Sequence, residues 1–440
     1  MREDKKKVII VGAGFGGLEL ALDLARQRPK NLEIILVSSK PHFEYYPALY
    51  RVVAGHSALE TCIPLEEIFK GLPVTLVEDT INAVDLQAKI LQGKNGYKNN
   101  FDYLVLALGS ESAYFNIPGL ADLSFGLKST YEALQLRKHV EAIVAMCAST
   151  EPANRAILGQ IIIVGGGPAG VELAGELAVY TSRLSAAYKL DTNPITIDLL
   201  EAAPRLVAML TPAVSERVRL RLHQLGVNIF LNRALLKEEL DEVYLKDMQM
   251  KAKTVVWTAG VKPNSFFQKI SGLTFDKRGR VVVNERLQPP GFTNVFVIGD
   301  GAATQYSGLA QTAIDNAKFV ARLLTRGGRA TPMYVPKKPS TAIPVGPGWA
   351  VTIWGGHTYF GRVGWWLRRA ADLRYFMSIL PLGKAIKAYK YGSTITKFCP
   401  ICVPPKESAT VAPGPVATKS TDASHTEVPP APTAPPAPAP

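Results

Sequence analysis

"VIIVGAGFGGLELALDLARQ" occupies Val8–Gln27, and "IIIVGGGPAGVELAGELA" occupies Ile161–Ala178. Both run from an apolar segment through G-x-G-x-x-G into a helical pattern. The glycines are Gly12, Gly14 and Gly17 in the first copy, and Gly165, Gly167 and Gly170 in the second. In a strand–turn–helix of this kind the first glycine permits the tight turn. The second lets backbone approach a pyrophosphate, and the third lets the helix pack close to the strand. The free N–H groups at the helix start then face the phosphates. One such turn is weak evidence. Two, each after a strand and before a helix, point to two dinucleotides, one per unit.

Working outward, the first unit reads as a strand at Lys7–Val11, a helix to about Arg28 and a strand at Glu33–Val37. The second reads as a strand at Gln160–Val164, a helix from Pro168 to about Tyr180 and a strand at Ile195–Ala202. Further strands are expected at Thr254–Gly260 and Asn294–Ala302, then a helix over Leu309–Leu324. The two turns lie about 150 residues apart, which is a domain spacing and not a solenoid period. The expected fold class is α/β, with two Rossmann-like dinucleotide-binding domains and a C-terminal amphipathic region.

The residue ending the strand after the turn helps to choose the ligand. In the second unit it is Glu201, whose carboxylate accepts hydrogen bonds from ribose hydroxyls and repels a 2′-phosphate. That favours NADH over NADPH. In the first unit the matching stretch is "IILVSSK", and Ser38 stands where an acid is expected. A serine hydroxyl bonds a ribose less strongly than a carboxylate.

Composition sets the frame. At about 150 residues per domain, 440 residues suggest roughly three units. The chain is 47% hydrophobic and 20% charged, so a large core is expected. Four cysteines do not make a disulfide framework and suggest a reducing compartment. The basic, then apolar N-terminus breaks at Gly12, so it reads as strand and turn and not as a signal peptide. No run of about 18 apolar residues suggests a spanning helix. The net charge of +13 admits nucleic acid, anionic lipid or an acidic partner. No nucleic-acid reader motif accompanies it.

Eight phrases carry a resemblance: "VIIVGAGFGGLELA", "PHFEYYPALYRVVAG", "FDYLVLALGS", "FGLKSTYEALQLR", "IIIVGGGPAGVELAGELA", "WTAGV", "VFVIGDGA" and "GLAQTAIDNAKFVARLL". With them the chain resembles the two-dinucleotide flavoproteins, most closely the type II NADH dehydrogenases (NADH:quinone oxidoreductases), from about Lys7 to Leu324. The resemblance implies FAD in the first unit and NADH in the second, with a membrane quinone as acceptor. It implies that Asp300 faces the FAD ribityl and pyrophosphate region. Gly109 and Gly260, in "LALGS" and "WTAGV", are carried as cofactor contacts. Glu172 is placed near flavin and nicotinamide, where it could tune hydride transfer or relay a proton. Gln311 matches the family's quinone-site pattern A-Q-x-A-x-Q, but Asp315 replaces its second glutamine. An ionised carboxylate only accepts, whereas an amide also donates.

The resemblance further implies a discontinuous FAD domain, residues 1–112 and 256–330, around an NADH domain at 113–255. Residues 331–402 are expected to be a membrane-association region. The Pro/Ala-rich tail, 403–440, cannot bury a core and is expected to be disordered. From Tyr359 to Lys397 basic residues from Arg362 to Lys397 alternate with Trp365, Trp366, Tyr375, Phe376, Ile379 and Leu380, with Asp372 as the one acid. Such a segment suits an interface between water and anionic lipid. The expected location is peripheral, on the cytoplasmic face of a membrane. Oligomeric state stays open, a homodimer included.

Two other functions stay open. A sulfide:quinone oxidoreductase needs cysteines flanking the flavin, and Cys147 with Cys399 or Cys402 matches that spacing poorly. Cys62 stands alone in the first unit, so disulfide-reductase chemistry is not expected. Cys399 and Cys402 form a lone C-x-x-C, read as ordinary thiols, and no metal site is expected. The other alternative is a membrane-associated flavoprotein that senses redox state without turnover.

Overall fold

The computed structural model describes residues 5–391 apart from 191 and 327–332. The first unit starts with β1 (Lys6–Val11), α1 (Phe15–Gln27) and β2 (Leu32–Ser38). Val8 to Val11 are all buried, as a parallel strand covered on both faces requires. The chain continues through β3 (His42–Glu44), β4 (Thr75–Glu78), β5 (Tyr103–Leu106) and β6 (Ser110–Ser112). The second unit holds α2 (Thr130–Ser149), β7 (Gln160–Val164), α3 (Pro168–Ala187), β8 (Thr196–Leu200), β9 (Val227–Phe230) and β10 (Thr254–Trp257). The chain returns through β11 (Val261–Pro263) to β12 (Val295–Val297) and α4 (Ala310–Thr325).

Two parallel sheets result. The first has the order β12-β5-β1-β2-β4 and the second β9-β8-β7-β10. In each, the strand before the glycine turn is central, and the strand order reverses beside it. Ligands of open α/β sheets bind at such a reversal, beyond the strands' carboxyl ends. The chain leaves and re-enters the first unit side by side, because β6 pairs antiparallel with β11 (Ser110 opposite Pro263). β10 lies wholly in the second sheet. That strand ends at Trp257, and three residues separate it from β11, which begins the return. α3 also runs seven residues past Tyr180, to Ala187.

After α4 come a small antiparallel sheet, β13 (Thr341–Pro344), β14 (Ala350–Trp354) and β15 (His357–Tyr359), and two helices, α5 (Gly361–Ile379) and α6 (Leu382–Tyr391). The expected lipid-facing reading is corrected for the residues that these helices bury. On α5 the buried residues are Gly364, Arg368, Asp372, Phe376 and Ile379. Their spacing of three or four marks the core face of a helix. Phe376, Ile379, Leu380, Ala385 and Ala388 join the same cluster as Leu18, Leu22 and Leu24 of α1. Arg368, Phe376, Ile379 and Leu380 thus belong to the protein interior. The outward residues of the two helices are Val363, Trp366, Met377, Leu382 and Ile386, with Arg362, Arg374, Lys387 and Lys390 among them. Cys399, Cys402 and the tail lie outside the described residues.

Candidate active site

The two glycine turns match position by position. Gly12 and Gly165 have φ of +102° and +117°, a left-handed backbone that a side chain would strain. A Cβ on Gly17 would lie 1.8 Å from the Gly12 carbonyl oxygen, and one on Gly170 1.9 Å from that of Gly165. Only glycine lets these helices sit so close to their turns. Gly14 and Gly167 differ: a Cβ on either would meet nothing within 4 Å. Both are helix N-caps with no capping side-chain bond. The first N–H groups of α1 and α3 are thus left for an outside acceptor, and the open space fits a pyrophosphate.

Beside the first cradle, the carboxyl ends of β5 and β12 converge. Asp300 follows β12 in a 3-10 turn, Gly299–Gly301, whose first N–H is held by the Asn316 side chain of α4 at 3.0 Å. Ser110 follows β5 and donates to Asp300 Oδ2 at 2.5 Å. Gly109, just before it, has φ of +69° and open space on its Cβ side. Lys128 from the second unit donates to Ser110 Oγ at 3.0 Å and lies 5.3 Å from the centre of the Tyr46 ring. Neither Lys128 nor Ser110 was singled out by sequence. A lysine in "FGLKSTYE" carries no spacing signal.

Ser38 ends β2 as expected, but its hydroxyl is engaged locally. It donates to the Lys40 carbonyl at 2.8 Å and accepts from the Lys40 N–H at 3.2 Å. In the second cradle Glu201 accepts from Gly166 N at 2.6 Å and Ala203 N at 2.7 Å, one bond per oxygen. Those bonds fix the carboxylate beside the glycine turn with lone pairs to spare. Gly260 accepts from the Ala113 N–H at 3.0 Å, and a Cβ there would strike the Phe115 ring. Its place is the crossing between units.

Glu172 sits in the first turns of α3, half-buried. Burial pushes its carboxyl up to about 8, against the pull of Arg368; Asp372 and Glu176 push the same way as burial. A buried polar cluster lies beside it. Arg368 pairs with Asp372 and donates to the Pro47 carbonyl at 3.0 Å. Tyr45 donates to Asp372 at 2.5 Å, and Arg369 lies 3.7 Å from the same carboxylate. Tyr45 stacks on Tyr375, with ring centres 5.5 Å apart. The lone acid of the basic segment, four residues after an arginine, was the available signal for this pair.

Gln311 and Asp315 lie on the face of α4 covered by residues 333–340. The Gln311 amide donates to the Ser340 carbonyl at 3.1 Å and accepts from its N–H at 2.9 Å. Asp315 lines a cavity of about 330 Å³ with Phe319, Arg322, Tyr334 and Lys337. The structure thus ties the Gln311 side chain to the covering segment, while Asp315 faces the cavity. Cys147 is packed in the apolar core of the second unit with Val140, Ile143 and Ile161. Burial pushes its thiol up, so it is no sulfide-reactive thiolate. Cys62, opposite Glu44 in the β3 pairing, is disulfide-bonded, and it is the one cysteine of the first unit. Among the described residues no cluster suits a metal ion.

Known proteins share this arrangement. The sequence profile of the pyridine nucleotide-disulphide oxidoreductases matches residues 6–317. A type II NADH:quinone oxidoreductase of Mycobacterium tuberculosis is 32% identical over 334 residues, 72% of each chain. The chain belongs to the pyridine nucleotide-disulphide oxidoreductases, in their type II NADH:quinone oxidoreductase branch. A relative of the same description from Staphylococcus aureus is 28% identical over 407 residues, 89% of this chain and 100% of its own. The fold of NDH2 from Plasmodium falciparum, solved in complex with NADH, superposes with a TM-score of 0.78 at 18% identity, covering 88% of this chain and 99% of that one. FAD and NADH, the two dinucleotides of this family, account for the two cradles.

Proposed function

We propose that this chain is an FAD-dependent enzyme that takes hydride from NADH and passes two electrons to a membrane quinone. The carrying observation is the pair of glycine cradles, each with an uncapped helix start, joined by side chains that cross between units. FAD, when bound, supplies the redox chemistry that amino acids lack. The chain's own residues do the rest. The turns at Gly14 and Gly167 hold pyrophosphates, and Glu201 orients the nicotinamide dinucleotide through its ribose. Asp300 and Ser110 receive the far half of FAD. Glu172 keeps a proton at its carboxyl near neutral pH and can give it to a quinone oxygen as that oxygen gains charge. The two bonds between Gln311 and the Ser340 backbone fasten the start of α4 to the segment that precedes β13. Quinones dissolve in lipid, and the outward face of α5 and α6 combines apolar and basic side chains suited to an anionic bilayer surface on the cytoplasmic side.

The test is an anaerobic visible spectrum with one equivalent of NADH, then a soluble quinone. The expected result is a flavin band that bleaches and then returns. A flavin that stays oxidised with NADH removes the proposal. A flavin that bleaches but is not reoxidised by any quinone supports the sensor reading instead.

A further inference from the structure

We propose that Lys128, supplied by the second unit, is the cation that sets the redox potential of the flavin in the first. The inference rests on FAD occupying the first cradle. In that cradle the pyrophosphate lies at the turn after β1, and the nucleoside ribose extends toward the end of β2. The other half of the dinucleotide must then extend the opposite way, past β5 and β12. Ser110 and Asp300 stand at those two strand ends, and Lys128 donates to Ser110. The ammonium is therefore placed on the flavin side of the crevice and not on the adenine side.

Its position is rigid. Lys128 directly precedes Ser129, whose side chain caps α2 by accepting from Glu132 N at 3.1 Å. The Glu132 carboxylate reaches back to the Lys128 N–H, a variant of the capping box. The face of the Tyr46 ring covers the ammonium. The charged groups facing it are Asp300 and Glu132, and burial disfavours its proton while both acids favour it. Glu44, also close to Tyr46, is neutralised by Lys40 at 2.6 Å. Without Lys128, two carboxylates would face the flavin with no cation between them.

The redox step balances simply. Oxidised flavin takes two electrons and one proton, as hydride, from NADH, and NAD+ leaves. The ring then carries one extra negative charge, which a nearby ammonium stabilises and nearby carboxylates oppose. Lys128 thus favours the reduced cofactor over the oxidised one.

The experiment measures the flavin midpoint potential of the full-length holoprotein against a reference dye, for wild type, Lys128→Met and Lys128→Arg. Lys128→Met is expected to weaken the reduced flavin about tenfold relative to the oxidised one, lowering the two-electron potential by about 30 mV. Lys128→Arg keeps the charge and is expected to stay near wild type. If Lys128→Met sheds its flavin, Lys128→Gln carries the same expectation. A neutral variant with bound flavin and unchanged potential overturns the proposal, as does an equal fall in Lys128→Arg. A lysine that only joins the units would lower thermal stability and leave the potential alone. Wild-type protein that binds no flavin at all would instead refute the functional reading beneath it.

Discussion

Glu172 and Glu44 are both carboxylates in tight surroundings, and their protons behave in opposite ways. At Glu44 burial would raise the pKa, but the His42 and Lys40 bonds and the Thr130 N–H outweigh it and bring the group down to about 2. At Glu172 burial wins, and Arg368 offsets only part of it. The folded protein therefore holds the Glu172 proton from about pH 4.5, where an unfolded chain loses it, up to about pH 8. Across that window the folded state binds more protons, so stability falls as pH rises, and the loss is complete above pH 8. Glu172→Gln removes this slope: its melting temperature relative to wild type should climb between pH 5 and pH 8. If the proton serves the quinone, the variant should also reoxidise about 100-fold more slowly with quinone, while reduction by NADH changes little. Stopped-flow measurement of the two half-reactions separates these effects, and equal rates for both in variant and wild type would leave Glu172 without a role in proton transfer.

At the scale of elements, α5 has two incompatible-looking faces, and both are accounted for. Its inner face carries the Arg368–Asp372 pair into the core, with Tyr45 and the Pro47 carbonyl satisfying spare hydrogen-bonding capacity. Removing one partner leaves a buried charge uncompensated, which typically costs about 3–5 kcal/mol. Arg368→Met should therefore lower the unfolding free energy by about that much, whereas Arg368→Leu with Asp372→Leu should cost far less. Denaturant melts of the two variants decide it; single and double variants of equal stability would mean that the pair is not the anchor of the helix. The same helix shows why some of the site was legible in the sequence and some was not. Glycine turns act over six residues, and their steric needs are local, so Gly12 to Gly17 and Gly165 to Gly170 could be read directly. Glu201 was legible because a parallel strand places its last residue beside the turn. Lys128 meets Ser110 and Asp300 across 18 and 172 residues of chain, and Tyr45 meets Asp372 across 327. Only the fold brings them together. The interfacial reading of residues 359–397 failed at Arg368 and Phe376 for a related reason: a mixed basic and apolar helix has one pattern whether its apolar face meets lipid or core.

For the whole molecule, that ambiguity changes how membrane binding must be tested. Deleting residues 359–440 would strip Phe376, Ile379, Ala385 and Ala388 from the core they share with α1. Loss of membrane binding would then follow from unfolding alone. The outward residues offer a cleaner probe. Val363 is 58% exposed, Trp366 63% and Leu382 63%, so changing them to glutamate removes outward apolar area without touching the core. Each substitution also adds an acid among Arg362, Arg374, Lys387 and Lys390, which weakens attraction to anionic headgroups. The wild-type protein is expected to sediment with vesicles containing phosphatidylglycerol, less so at 1 M salt, where charges are screened within about 3 Å. The triple variant Val363→Glu, Trp366→Glu, Leu382→Glu should stay in the supernatant with its flavin spectrum intact. It should still turn over a water-soluble quinone, because both cradles and the Arg368 cluster remain. Sedimentation of the folded triple variant at wild-type levels would place the membrane surface elsewhere on the molecule.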